Sequence, residues 1–256
     1  MPSSSIISGE RPLYGSKGLR LSDVTIGEGE SALKCSEDVS VERSRIEGRY
    51  VFWECRGIQC VDTYFDKSAR ACSWYGHDHF YEGCRMDSPK IFREIDGLTV
   101  SNCRLGDAAE SFWRCRDGRV EDVQMADAQY CFLSASDFLI RRLHECGKYA
   151  FQYSRNIEIH DSVLDTKDAF WESVGCTIYD SEIKGEYLGW YSRGLRLVRC
   201  RISGTQPLCY CSGLVLEDCV FDASCDRCFE KSEVSGTVIG QVTSIEEPVY
   251  GEILYK

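Results

Sequence analysis

The chain repeats itself. A unit of 19–21 residues recurs with starts at Gly18, Asp38, Gly57, Asp78, Gly97, Asp117, Asp137, Asn156, Gly175, Gly194 and Gly213. Periods of this length belong to stacked arrays, because one unit cannot bury its own apolar face and a stack of them can. Every start is Gly, Asp or Asn, the residues that best tolerate left-handed backbone, so each start marks a corner.

After each start, apolar residues fall at the first and third positions, as in Leu98/Val100, Ile157/Ile159 and Leu195/Leu197. Period-two alternation over so short a run predicts a strand with one buried face. A second stretch places a small or apolar residue at the sixth position and an apolar one at the eighth, as in Cys103/Leu105 and Ser162/Leu164; Glu145 breaks the eighth. A third segment sets Phe52, Phe92, Phe112, Phe132, Phe151 and Phe170 five residues before the next start, with Cys55, Cys115, Ser154 and Ser192 three residues further on. No stretch has helical periodicity. The expected fold is all-β: a single-stranded right-handed parallel β-helix (β-solenoid) of about eleven rungs. It forms one domain over 1–256, with rungs over 18–232 and caps over 1–17 and 233–256.

The Phe112-Trp113-Arg114-Cys115 rung ending, together with the Gly97-Leu98-Thr99-Val100-Ser101-Asn102-Cys103 rung start, resembles an uncharacterised bacterial family. That family, a domain of unknown function, consists of right-handed parallel β-helices of the pectin-lyase-like kind. The resemblance covers residues 18–232 and implies the fold. Pectin-degrading β-helices carry N-T-D, D-D, G-H-G and R-I-K signatures, and none of these occurs; the nearest fragment is Gly76-His77-Asp78. The resemblance therefore implies no activity.

The net charge is −11, and the basic residues alternate with acids, which argues against nucleic acid and anionic membrane surfaces as partners. No apolar run approaches the roughly 20 residues of a membrane span. Residues 1–16 lack the basic start and apolar core of a signal peptide. The expectation is a cytoplasmic protein. Its cysteines fall mostly at interior positions of the repeat, with Cys84, Cys103, Cys200 and Cys219 in one column and Cys55, Cys115 and Cys211 in another. Stacked at about 4.8 Å, such neighbours lie beyond the Cβ separation of about 3.8 Å that a disulfide prefers, so buried thiols are expected.

All five tryptophans, Trp53, Trp74, Trp113, Trp171 and Trp190, occupy one repeat position, four residues before the next start. The adjacent column holds Glu54, Tyr75, Glu94, Tyr153, Glu172, Tyr191 and Tyr210. Lys34, Arg93 and Gln152 share the tryptophan position, which points it outward. An outward Trp/Tyr row with carboxylates beside it suits a sugar: apolar ring faces meet aromatic rings, and hydroxyls bond to Glu. Three readings follow. The first is a noncatalytic module that binds carbohydrate along this face. The second is a carbohydrate-active lyase or glycoside hydrolase using Glu54, Glu94 or Glu172 as acid and base. The third is a structural protein whose stripe is packing or a homodimer seam.

Three smaller patterns complete the reading. Cys225-Asp226-Arg227-Cys228 has the spacing of a zinc half-site, without a second matched pair. His77-Asp78-His79, in a rung one residue longer than its neighbours, is either a polar corner or a metal or acid–base cluster with Glu82 and Asp87. Asp23, Arg43, Asp62, Asp180 and Arg199 belong to a column of alternating charge suited to inter-rung ion pairs. No metal or cofactor is assigned.

Overall fold

The computed structural model describes residues 5–256. No helix occurs among them, and the fold is a parallel β-solenoid of about 13 turns. The count exceeds eleven because both expected caps contribute strands. Ser5–Glu10 pairs in parallel with Val24–Glu30, and Val234–Val238 pairs with Ile253–Tyr255. The chain divides into two compact units, Met1–Asp127 and Ala128–Lys256.

In the first unit each strand sits one repeat above its predecessor, so the repeat length sets the register. Ile58 pairs with His79 and His79 with Leu98; Cys60 pairs with Tyr81 and Tyr81 with Val100. The corner prediction holds for the starts Asp38, Asp78 and Asp117, all left-handed, with φ of 54°, 58° and 52°. A further left-handed residue follows five positions on, at Asp23, Arg43, Asp62, Asn102 and Asp122, and turns the chain into its second stretch.

The core is built in columns. Ile26, Ile46, Phe65, Met86 and Leu105 stack along one wall, and Leu33, Phe52, Phe92 and Phe112 along another; all are fully buried. The Phe column is interrupted at Ser73, and the gap is filled from across the coil by Tyr81. Its ring lies 4.8 Å from Phe92 and 6.0 Å from Phe65, and its hydroxyl meets the Ser73 hydroxyl.

The second unit repeats the scheme. Phe132, Phe151 and Phe170 stack at 4.7 and 4.8 Å with nearly parallel planes. Ile140, Ile159, Ile178, Leu197 and Leu216 line the opposite strand. Along the sixth-position column, Ser162 and Ser181 each accept a hydrogen bond from the backbone N–H one rung before, at 3.0 Å, so buried polar groups satisfy one another between rungs.

Cysteines do the same work. All are free thiols, and only Cys35 and Cys146 are not buried. The Cys103 thiol donates to the Ser101 carbonyl at 3.0 Å and the Cys55 thiol to the Leu33 carbonyl at 3.0 Å. Burial pushes the Cys55 and Cys115 thiols up to about 12, which keeps them protonated and unreactive.

Candidate functional site

The aromatic column arises from a corner. Phe52–Trp53, Ser73–Trp74 and Phe92–Arg93 are two-residue strands that pair in parallel, Trp53 beside Trp74 and Trp74 beside Arg93. Alternation along a strand turns Phe inward and Trp outward. The next residue would return to the interior, but Glu54, Tyr75, Glu94 and Arg114 are all left-handed, with φ of 49–56°. The chain bends there, and two successive side chains face out. Phe is therefore the interior residue, and all five Trp lie half-buried on the surface.

On the first unit, Trp53 and Trp74 lie 5.1 Å apart, with Tyr75 stacked on Trp74 at 5.4 Å. Lys34 Nζ sits 5.1 Å from the Trp53 ring centre and 3.5 Å from Glu54. The Arg93 guanidinium lies between Trp74 and Trp113, at 5.1 and 4.6 Å from their ring centres. Glu94 accepts a hydrogen bond from Trp74 Nε1 at 3.4 Å. Burial alone would raise the Glu110 carboxyl, but Lys90 at 2.8 Å and Arg93 at 3.1 Å outweigh it and hold it below the usual carboxylate range. Trp113, whose direction separates a surface role from a core one, is thus outward and half-covered by Arg93.

On the second unit, Trp171 and Trp190 stack at 5.5 Å and Tyr191 and Tyr210 at 4.9 Å. Trp190 Nε1 donates to the Gln206 carbonyl at 2.8 Å, and the Tyr210 hydroxyl donates to Glu230 at 2.9 Å. Rings stacked along the column cover one another's faces, so much of what they present outward is edge. Tyr153 differs: it contacts no other ring among the described residues. Glu172, one rung on, makes no ion pair among them, and Tyr191 follows one rung later. Tyr75, Tyr153 and Tyr191 are 43%, 46% and 44% exposed, a level unusual for large aromatic side chains.

A neighbouring column escaped the sequence reading. Tyr50, Tyr130, Tyr149 and Tyr187, seven residues before a start, also project outward from left-handed positions. Tyr50 packs edge-on against Trp53 at 5.3 Å, Tyr187 against Trp190 at 5.2 Å, and Tyr130 stacks on Tyr149 at 4.7 Å. The signal was present as a second periodic tyrosine, diluted by Ala71, Lys90, Glu110 and Asp168 at the same position.

The histidine cluster does not form. His79 is buried at a core strand position, while His77 is exposed, 3.9 Å from Asp96. Asp78 between them is left-handed, with φ of 58°, so the usual alternation is broken there and His77 faces out while His79 faces in. Gly76 is required beneath His79, since a Cβ there would come within 2.4 Å of Nε2. Cys225 and Cys228 are likewise core, with the Cys225 thiol donating to the Ile202 carbonyl at 3.3 Å. No group of three or more His, Cys, Asp or Glu side chains among the described residues is placed to hold a metal ion. Of the charged column, Arg43 binds Asp23 at 3.0 Å and Arg199 binds Asp180 at 2.6 Å, each bridging to the rung before.

Parallel coiling, inward Phe and outward Trp/Tyr define the class: a β-solenoid with an aromatic surface column on each unit. The chain belongs to the protein family of unknown function DUF3737, whose family model matches residues 3–256. Among curated proteins none matches the sequence. Solved structures with a similar fold include the periplasmic alginate epimerase AlgG, 11% identical over 93% of this chain and 76% of that one, with a TM-score of 0.32. The A-module of the Azotobacter vinelandii mannuronan C-5 epimerase AlgE4 is 8% identical over 97% of this chain and 88% of that one, with a TM-score of 0.34. The tailspike protein of E. coli bacteriophage HK620 is 8% identical over 98% of this chain and 58% of that one, with a TM-score of 0.37.

Proposed function

We propose that the protein is a noncatalytic carbohydrate-binding module and that its principal subsite is the Tyr153–Glu172–Tyr191 column of the second unit. The observation that carries this reading is the exposure of two tyrosines, two rungs apart, with a carboxylate free of any ion pair between them. Rungs repeat at about 4.8 Å, so the two rings stand about 10 Å apart, a span that two linked sugar rings can bridge. Tyr153 offers an uncovered ring and Tyr191 the face turned away from Tyr210 to pyranose faces, and Glu172 accepts hydrogen bonds from the intervening hydroxyls. Trp171 supports the group from beneath, 5.3 Å from Tyr191, and serves as a built-in reporter.

The test is titration of the protein with soluble neutral and acidic oligosaccharides, followed by tryptophan emission and calorimetry. Binding by at least one class, weakened tenfold or more in Tyr153→Ala and Tyr191→Ala, supports the proposal. If no oligosaccharide alters emission or releases heat, the proposal fails.

A further inference from the structure

The strand Ile253–Tyr255 pairs on one side with Val234–Val238, and no strand covers its other edge among the described residues. Open edges of this kind recruit further strands unless they are blocked. Here the strand is only three residues long and is flanked by Glu252 and Lys256, yet the same C-terminal segment carries a concentration of exposed apolar side chains. Twelve large hydrophobic side chains are exposed among the described residues, and six lie between 239 and 255: Ile239, Ile245, Val249, Tyr250, Leu254 and Tyr255. Tyr250 is 77% and Val249 66% exposed. Such a concentration marks a contact surface.

We infer that this edge pairs antiparallel with the same edge of a second copy of the chain, about a two-fold axis at Leu254. The hydrogen-bond phase selects the register. Gly236 N–H donates to the Glu252 carbonyl, Lys256 N–H to the Val238 carbonyl and Gly240 N–H to the Lys256 carbonyl, at 2.9–3.0 Å. Even-numbered residues therefore spend their backbone groups on the inner neighbour, and Ile253 and Tyr255 aim theirs at the open edge. An antiparallel partner must match aimed groups with aimed groups. Centring on Leu254 sets Ile253 against the second copy's Tyr255, and Tyr255 against its Ile253, in two reciprocal hydrogen-bonded pairs. Leu254 then meets its own copy at the closer, non-hydrogen-bonded position.

Charge picks this register over its neighbours. With Leu254 at the centre, Glu252 stands opposite the second copy's Lys256, and by symmetry Lys256 opposite its Glu252. Centring on Ile253 instead sets Glu252 against Leu254 and Lys256 against Tyr250, and centring on Tyr255 sets Lys256 against Leu254, so neither register pairs the charges. Both side chains are exposed. Lys256 already touches Asp218 at 2.7 Å, so it would stand between two carboxylates, a stronger arrangement for a lysine than either alone. Such an interface is isologous, the commonest closed form of assembly.

Sedimentation equilibrium over a dilution series tests the inference. The wild-type chain is expected to dimerise. Glu252→Lys, which sets Lys against Lys on both sides, should raise the dimer dissociation constant about tenfold or more, and the swap Glu252→Lys/Lys256→Glu should recover part of that loss, short of the whole because it gives up the Lys256–Asp218 ion pair. Tyr255→Pro removes an edge N–H and should yield monomer, with circular dichroism confirming that the solenoid remains folded. Should Tyr255→Pro disturb the terminal strand, the charge pair decides alone, since it alters only exposed side chains. A wild-type monomer at every concentration overturns the inference. So does a dimer indifferent to Glu252→Lys, which would place the interface elsewhere.

Discussion

His79 and Tyr81 lie two residues apart on the strand His77–Glu82, both inside the coil, with the Tyr81 hydroxyl 3.4 Å from His79 Nδ1. The other imidazole nitrogen, Nε2, lies 3.2 Å from the Cys55 carbonyl. The network fixes the tautomer. A carbonyl can only accept, so Nε2 carries the proton and Nδ1 accepts from Tyr81, whose oxygen accepts from Ser73 in turn. A chain of this kind uses a neutral histidine. Burial lowers the His79 imidazole to about 4.

That arrangement makes the first unit acid-sensitive. The unfolded chain takes up a proton on this histidine near pH 6.5, while the folded chain resists until about pH 4. Stability from His79 is therefore complete above pH 6.5 and declines as pH falls toward 4, by about 3 kcal/mol in total. His79→Leu, which matches the Leu98 position one rung on, should flatten the urea midpoint between pH 6.5 and 4 relative to wild type. An unchanged slope would remove His79 from the account.

Glu145 poses the opposite problem in the second unit. It occupies the column of Leu164, Ile183 and Ile202, is fully buried, and has one oxygen without a partner; the other lies 3.9 Å from the Cys131 thiol. Burial pushes its carboxyl well above the usual range, with Asp165 adding to the rise. The acid folds in its neutral form. Its contribution is greatest below pH 4.5 and is lost as pH rises, so at neutral pH folding must draw in a proton. Glu145→Leu should stabilise the protein at pH 7 by about 2 kcal/mol, read as a higher denaturant midpoint at constant slope, with little change at pH 4.

The Phe ladder is where the second unit has least tolerance. Phe151 is sandwiched between Phe132 and Phe170, its ring nearly parallel to both. Phe151→Ala should cost about 3–5 kcal/mol, and Phe151→Leu distinctly less, in chemical denaturation.

Corner geometry predicts a different pattern at Asp117, whose φ is 52°. Asp117→Gly keeps the left-handed backbone available and should change stability by well under 1 kcal/mol, whereas Asp117→Val forces a β-branched residue there and should cost about 1–2 kcal/mol. Equal effects would mean that side-chain contacts, not backbone conformation, select Asp.

Much of this was legible in one dimension. Gly, Asp and Asn starts located the corners, and rung length set the strand register, because parallel stacking places each residue above its counterpart one period earlier. Ile58, Leu98 and Val100 could be placed in the core from alternation alone. The rung from Asp78 could not. Its His79, and Ser73 five residues before its start, look polar in sequence, and only the coil shows that Tyr81 fills the volume Ser73 leaves while the two hydroxyls and the imidazole satisfy one another. Periodicity reports which residues share a column, not what lies across the interior from them.

The Trp/Tyr column divides in the same way. Its existence and membership follow from the repeat: Trp53, Trp74, Trp113, Trp171 and Trp190 share a position because the chain returns to the same point every 19–21 residues. Its direction required the fold, because a left-handed residue after each Trp turns two consecutive side chains outward where alternation would turn one back in. The tertiary structure also decided which rings keep a free face. Stacking along the column occupies Trp171 with Trp190 and Tyr191 with Tyr210 and leaves Tyr153 beside Glu172, which makes no ion pair among the described residues. The sequence by itself determined a stack of rungs and the columns they form. Only three-dimensional packing, through the corner that re-aims each side chain and the neighbours that cover or expose it, decided which column is core and which is surface.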